Sequence, residues 1–202
     1  MLGGIFKDMK TKVMKKQGNS RYCVACGIKN PFGFEGRYYE TDSHECVGIF
    51  ETKEMQQSYP GRVHGGVITA MLDETIGRAI WLEEPETWGV TVELDVRYLV
   101  PVPIGAELKC VGRITKNNRR LFEGTGEVLA PDGTVLVSAW GKYWKMSPAE
   151  AGIDATDGSP DWFNLGPEDR DPEEIELPDG LAEKDRFAAE KTKKHRLSKN
   201  NA

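Results

Sequence analysis

The chain is 202 residues long, carries a formal net charge of −5, and is 39% hydrophobic and 29% charged. That balance suits a globular protein able to bury one sizeable core, and it excludes a general nucleic-acid binder, because no basic excess exists to neutralise phosphates. No apolar run approaches the ~20 residues that span a bilayer, so no membrane partner is expected.

Residues 1 to 20 begin with a brief apolar patch followed by the basic stretch Lys10 to Lys16, the reverse of the order in a secretory signal. They are expected to form a short leading helix or to stay loose, in a cytoplasmic protein. Without secretion, the four cysteines Cys23, Cys26, Cys46 and Cys110 should be reduced thiols. Cys23-x-x-Cys26, with His44 and Cys46 downstream, raises a structural zinc, but His-x-Cys is not a second knuckle. Packed thiols and no metal are the expectation.

Two strands flanking the polar turn Thr41-Asp42-Ser43, Phe34 to Glu40 and Glu45 to Glu51, read as a hairpin. Between Arg62 and Trp81 lies the one long, largely apolar helical stretch, its apolar residues spread over most of the wheel. Pro60 and Gly61 turn the chain into it, and Gly65-Gly66 at its mouth offers bare backbone amides. Asp73 interrupts the apolar run where an unpaired carboxylate would be costly to bury. After the helix, Val92 to Val100 alternates apolar with polar residues, and three more strands follow, Ala106 to Thr115, Arg119 to Leu129 and Thr134 to Met146. Turns at Asn117-Asn118 and Pro131-Asp132-Gly133 join them, so the four should form an antiparallel meander.

His64-Gly65-Gly66, six residues and then Asp73, on a buried helix after a Pro-Gly turn, resembles the hotdog-fold acyl-CoA thioesterases, in particular the phenylacetate-degradation (PaaI-like) branch. Cys23-Val24-Ala25-Cys26-Gly27-Ile28-Lys29-Asn30-Pro31-Phe32-Gly33 looks like the opening of many members, and Asp95 to Val102 like the strand after the helix. The resemblance covers residues 21 to 146. It implies an α+β hotdog fold, a central helix wrapped by a curved antiparallel sheet of about six strands.

It also implies a reaction. Asp73 would activate water for attack on the thioester, while the Gly65 amide, beside His64, would polarise the carbonyl from the positive end of the helix. Thr91 would orient the water. Gly66 would touch the substrate. Members often carry Asn six residues before the histidine; Ser58 holds that place here, with Gln56 and Gln57 beside it, and Gln57 is the candidate substitute. Family sites are composite, so a homodimer or a dimer of dimers is expected, with acyl-CoA as substrate and no cofactor. Arg113, Lys116, Arg119 and Arg120, around the Asn117-Asn118 turn, are the candidate cations for the phosphates of coenzyme A.

Beyond Ser147 the composition turns acidic and Pro/Gly-rich, then Lys-rich. The domain reading is therefore a leader (1–20), a hotdog domain (21–146) and a charged, flexible tail (147–202). In that tail Trp162, Phe163 and Leu165 form an apolar island that could dock on the domain or on a partner subunit. A non-catalytic acyl-CoA-binding regulator or scaffold of the same fold is the alternative to the enzyme.

Overall fold

A computed structural model of the chain describes residues 8–147, 149–150, 162–163 and 171–181. In chain order its elements are β1 (Asp8–Lys16), β2 (Asn19–Ser20), β3 (Arg37–Thr41), β4 (Cys46–Glu51), α1 (Gly65–Arg78), β5 (Trp88–Tyr98), β6 (Glu107–Asn117), β7 (Leu121–Leu129), β8 (Val135–Met146), β9 (Trp162–Phe163) and β10 (Glu174–Pro178). Eight strands form one antiparallel sheet in the order β10-β1-β3-β4-β6-β7-β8-β5, and β2 pairs with β9 in a separate ribbon. The helix lies across β4 to β8. This is the hotdog arrangement, with more strands than the six expected.

Residues 65–78 are helical because their apolar side chains keep one stripe and no proline interrupts it. Ile68, Met71, Leu72, Thr75 and Ile76 are buried, the i, i+3, i+4, i+7, i+8 pattern of a helix packed on one face. The stripe is thus narrower than the apolar count of the sequence suggested. Past Arg78, Ala79–Leu82 tightens into a 3₁₀ turn, and Pro85 lies beyond it.

The helix can sit this close because the sheet beneath it is bare. Gly112 and Gly126 are directly paired across β6 and β7, and Gly124 follows on β7. A Cβ at Gly112 would stand 2.6 Å from the Thr75 carbonyl oxygen, and one at Gly126 2.8 Å from the Ile76 side chain. Around this contact Phe50, Met71, Leu72, Ile80, Leu108, Phe122 and Tyr143 form the principal core. Strand residues of opposite phase, Tyr39, Val47, Ile49, Val111 and Leu129, form a second core on the sheet's other face with Ile175, Leu177 and Leu181.

Several expectations are revised. Residues 8–16, read as a helical or loose leader, form β1, hydrogen-bonded to β3 on one side and β10 on the other. The stretch read as a flexible tail contributes β10, whose Ile175 and Leu177 are buried, so this segment is part of the domain. Within the apolar island, the Trp162 and Phe163 backbone pairs with β2, while Leu165 lies outside the described residues. β5 does not begin a four-strand meander either. It crosses to the far edge and pairs with β8, leaving β6-β7-β8 as the meander. No helix among the described residues is long and apolar enough to cross a membrane.

The bare strip yields a test. Gly112→Ala forces the helix off the sheet or distorts both, and should cost about 1–3 kcal/mol, the usual penalty of overpacking. Urea denaturation of the variant measures it.

Candidate active site

Asp73 sits in the second half of α1, half-buried, and the sheet meets it with two hydroxyls. Thr91 Oγ1 lies 2.9 and 3.1 Å from the two carboxylate oxygens and donates to them. The buried Tyr143 hydroxyl lies 3.2 Å from Asp73 Oδ1 and also 3.2 Å from the Asp73 carbonyl oxygen. Burial pushes the Asp73 carboxyl above its ordinary range, and the two hydroxyl donors oppose that shift. Tyr143 itself is held well above the usual tyrosine range, first by burial and then by the adjacent carboxylate, so it keeps the proton it offers to Asp73.

Thr91 and Tyr143 are directly opposite one another on β5 and β8, so their side chains share the helix-facing side of the sheet. A bulge at Val92 makes this possible. The register slips between Thr91 and Glu93, so Gly89 and Thr91 face inward before it and Leu94, Val96 and Tyr98 after it. Strict alternation through Val92 would turn either Thr91 or Leu94 outward. Plain period-2 reading of the sequence places Thr91 on the polar face for that reason.

At the other end of the helix His64 is the N-cap, its Nδ1 accepting the Gly66 amide at 3.0 Å. The histidine is therefore committed as an acceptor on that nitrogen, and the Gly66 amide is used. The Gly65 amide has no acceptor among the described residues and points out of the helix's positive end. Tyr98, at the inward phase of β5, donates to the Gly65 carbonyl at 2.8 Å and lies 2.6 Å from Thr69 Oγ1, which fixes the first turn.

Gln57 is exposed and its side-chain oxygen accepts the Gly61 amide at 2.9 Å, closing the turn before the helix. Its neighbour Gln56 is the buried one, and its carbonyl takes the His64 amide at 2.8 Å. Nothing local in the sequence marks Tyr143 or Tyr98, and Gln56 stands out there only as the neighbour of Gln57. The tyrosines look like ordinary strand aromatics until the bulge sets their phase.

The four candidate cations separate into two kinds. Arg113 is buried between Glu45 (2.9 Å) and Glu127 (2.8 Å), so its charge is already neutralised inside the fold, and it is not available to a phosphate. Lys116 pairs with Glu123 at 3.0 Å on the surface. Arg119 and Arg120 are exposed on a turn that Asn117 ties to Glu83 and Glu84, beyond the C-terminal end of α1 and far from His64. For a metal, the described residues bring together Cys23, Cys26 and Glu74 rather than the four residues the sequence suggested.

With this geometry in hand, the similarities to known proteins fall into place. Residues 60–137 match the thioesterase superfamily. An uncharacterised protein of Schizosaccharomyces pombe is 38% identical over 121 residues, covering 59% of this chain and 69% of that protein. The acyl-coenzyme A thioesterase THEM4 of Mus musculus is 24% identical over 146 residues, 71% of this chain and 62% of the mouse protein, so the chain spans less than two thirds of that relative. Among solved structures, a thioesterase superfamily protein superposes with a TM-score of 0.57 at 27% identity, covering 61% of this chain and 60% of the other. Zebrafish thioesterase superfamily member 2 superposes with a TM-score of 0.51 at 20% identity over 57% of this chain and 88% of its own. The chain belongs to the thioesterase superfamily, a class of thioester hydrolases.

The division of the cations is testable by stability alone. Arg113→Ala leaves Glu45 and Glu127 facing each other without a counter-charge and should cost about 3–5 kcal/mol, whereas Arg120→Ala should leave the unfolding midpoint unchanged. Guanidinium unfolding of the two variants checks this.

Proposed function

We propose that the chain hydrolyses acyl-CoA thioesters, with Asp73 as general base and the Gly65 amide as the donor to the developing oxyanion. The observation that carries this reading is the Asp73 carboxylate, half-buried yet held by the hydroxyls of Thr91 and Tyr143. Those donors keep it oriented and ionisable, and leave its oxygens free to take one more proton. Asp73 removes a proton from water as the water oxygen bonds to the acyl carbon. The carbonyl oxygen becomes an oxyanion on the Gly65 amide. The C–S bond then breaks, the CoA thiolate takes the proton, and the free acid departs. Acyl-coenzyme A as the substrate class rests on the THEM4 relatives, whose name carries it. The PaaI-like branch rests on the spacing from His64-Gly65-Gly66 to Asp73, together with the Cys23–Gly33 opening and the Asp95–Val102 strand.

One chain does not assemble this site. Gly65 and Asp73 are eight residues apart on a single helix, about 12 Å at the rise of an α-helix, too far to touch one carbonyl and its attacking water. A second copy supplies the missing half. β5 is an eleven-residue edge strand with Val90, Val92, Tyr98, Leu99 and Val100 beside or on it exposed by 41–56%. So long and apolar an open edge invites pairing. Antiparallel pairing of two β5 strands about Asp95 sets Leu94 of each copy opposite Val96 of the other and Tyr98 of each opposite the Thr91–Val92 bulge of the other, and with them Asp73 of one beside Gly65 of the other. The exposed Arg119 and Arg120 are then the cations left for the CoA phosphates.

Two measurements test the reading. Asp73→Asn should lower kcat on an acyl-CoA ester by roughly 10²–10⁴ while the KM changes little. Unchanged turnover in that variant would remove Asp73 as the base, and binding without turnover in the wild type across short, long and aromatic acyl-CoA esters would leave a non-catalytic binding module. For the composite site, light scattering should give at least a dimer, and Val92→Lys, a charge on the open edge, should yield monomers without activity.

A further inference from the structure

Outside the catalytic arrangement, the segment between β2 and β3 packs a pair of thiols onto α1. Cys23 is half-exposed and Cys26 is buried. Their sulfurs and a carboxylate oxygen of Glu74 all lie within 4.8 Å of one another, with Cys23 Sγ 3.9 Å from Glu74 Oε2. We propose that Cys23, Cys26 and Glu74 form a site for a divalent thiophilic cation, zinc being the best match, that fastens the segment before β3 to the helix.

Four observations carry it. Tetrahedral zinc, with Zn–S near 2.3 Å and Zn–O near 2.0 Å, separates a sulfur and an oxygen ligand by about 3.5 Å, so the Cys23–Glu74 pair needs to close by only a few tenths of an ångström and the other ligand pairs by about 1 Å at most. Each sulfur already receives a backbone amide, Cys23 Sγ from Ala25 and Cys26 Sγ from Ser20, both at 3.3 Å, the kind of support that stabilises a metal-bound thiolate. The turn carrying the pair is a tight knuckle. The Gly27 amide donates to the Cys23 carbonyl at 2.8 Å, and a Cβ on residue 27 would stand 2.3 Å from that oxygen, so no side chain fits there.

Charge gives the fourth. Buried Arg78 holds Glu74 Oε1 through its Nε at 2.8 Å, which leaves Oε2 turned toward Cys23. Two thiolates and Glu74 against Arg78 leave two negative charges in a largely buried cluster, and one divalent cation neutralises them. Binding displaces one proton from each thiol, and water completes the shell. The other candidates for ligands are elsewhere. His44 is exposed, with Nε2 3.9 Å from Glu83, and buried Cys46 donates to the Gln17 side chain at 3.8 Å. Glu74 follows Asp73 directly, so the metal would brace the turn of helix that carries the proposed base without touching the substrate.

The test uses the full chain and does not depend on activity. Purified under reducing conditions and desalted, it should retain one zinc per chain by mass spectrometry of the metal. Replacement by cobalt should give a thiolate-to-metal absorption band. Cys26→Ser should abolish the band and Glu74→Gln should weaken cobalt binding by roughly tenfold or more, the least that even an outer-sphere loss costs. Cys110→Ser, a buried thiol of the main core, should leave both unchanged. Chelation should lower the melting temperature and added zinc restore it. A wild-type chain that takes up neither zinc nor cobalt, a Cys23–Cys26 disulfide recovered in place of metal, or a cobalt band lost equally in Cys110→Ser would overturn the proposal. Circular dichroism of each variant separates loss of a ligand from loss of the fold.

Discussion

The close approach of α1 to the glycine strip is the constraint on which the site depends. With Gly112, Gly124 and Gly126 beneath Thr75 and Ile76, the helix lies low enough for a strand hydroxyl to reach its backbone and side chains. A helix raised by one methyl would withdraw Asp73 from both Thr91 and Tyr143, whose hydrogen bonds tolerate only a few tenths of an ångström. Packing at van der Waals distance and chemistry at hydrogen-bond distance are therefore the same geometry seen on two sides of one helix turn.

The sheet answers this with an irregularity of its own. Without the bulge at Val92, β5 could present to the helix either a hydroxyl for Asp73 or Tyr98 for the first turn, but not both. The extra residue lets one strand serve the two ends of α1, anchoring Gly65 at one end and orienting Asp73 at the other. It also strengthens local twist, and it lies on the edge that the dimer proposal uses.

Much of this was legible in the chain itself. The long helix, the hairpin of β3 and β4 and the turns at Asn117 and Gly133 are local signals, and each appears close to where periodicity and turn chemistry put it, although the helix buries one stripe rather than most of its wheel. Legible too was the position of Asp73 within an apolar run, which marks a group needing partners but does not name them. The partners lie 18 and 70 residues away and depend on a register slip, so no local pattern contains them. Arg113 misled for a related reason. Its sequence neighbours are the cationic turn, but its spatial neighbours are Glu45 and Glu127, brought in by β4 and β7. The ends of the chain misled because charge reads as solvation. In β1 and β10 the charges line an outer face, while Thr11, Ile175 and Leu177 turn inward.

The pairing of β1 with β10 has a consequence for the order in which the molecule can form. Lys10 and Glu176 are cross-strand partners 166 residues apart, so the sheet's outer edge closes a loop that spans most of the chain. During synthesis β1 can settle beside β3 early, but its other side has no partner until residues 174–178 have left the ribosome. The second core, which needs Ile175, Leu177 and Leu181, stays open to water until then. Contacts of such long range make for slow, late closure. On this topology β10 can seal the sheet only after α1 and the strands beneath it have been made.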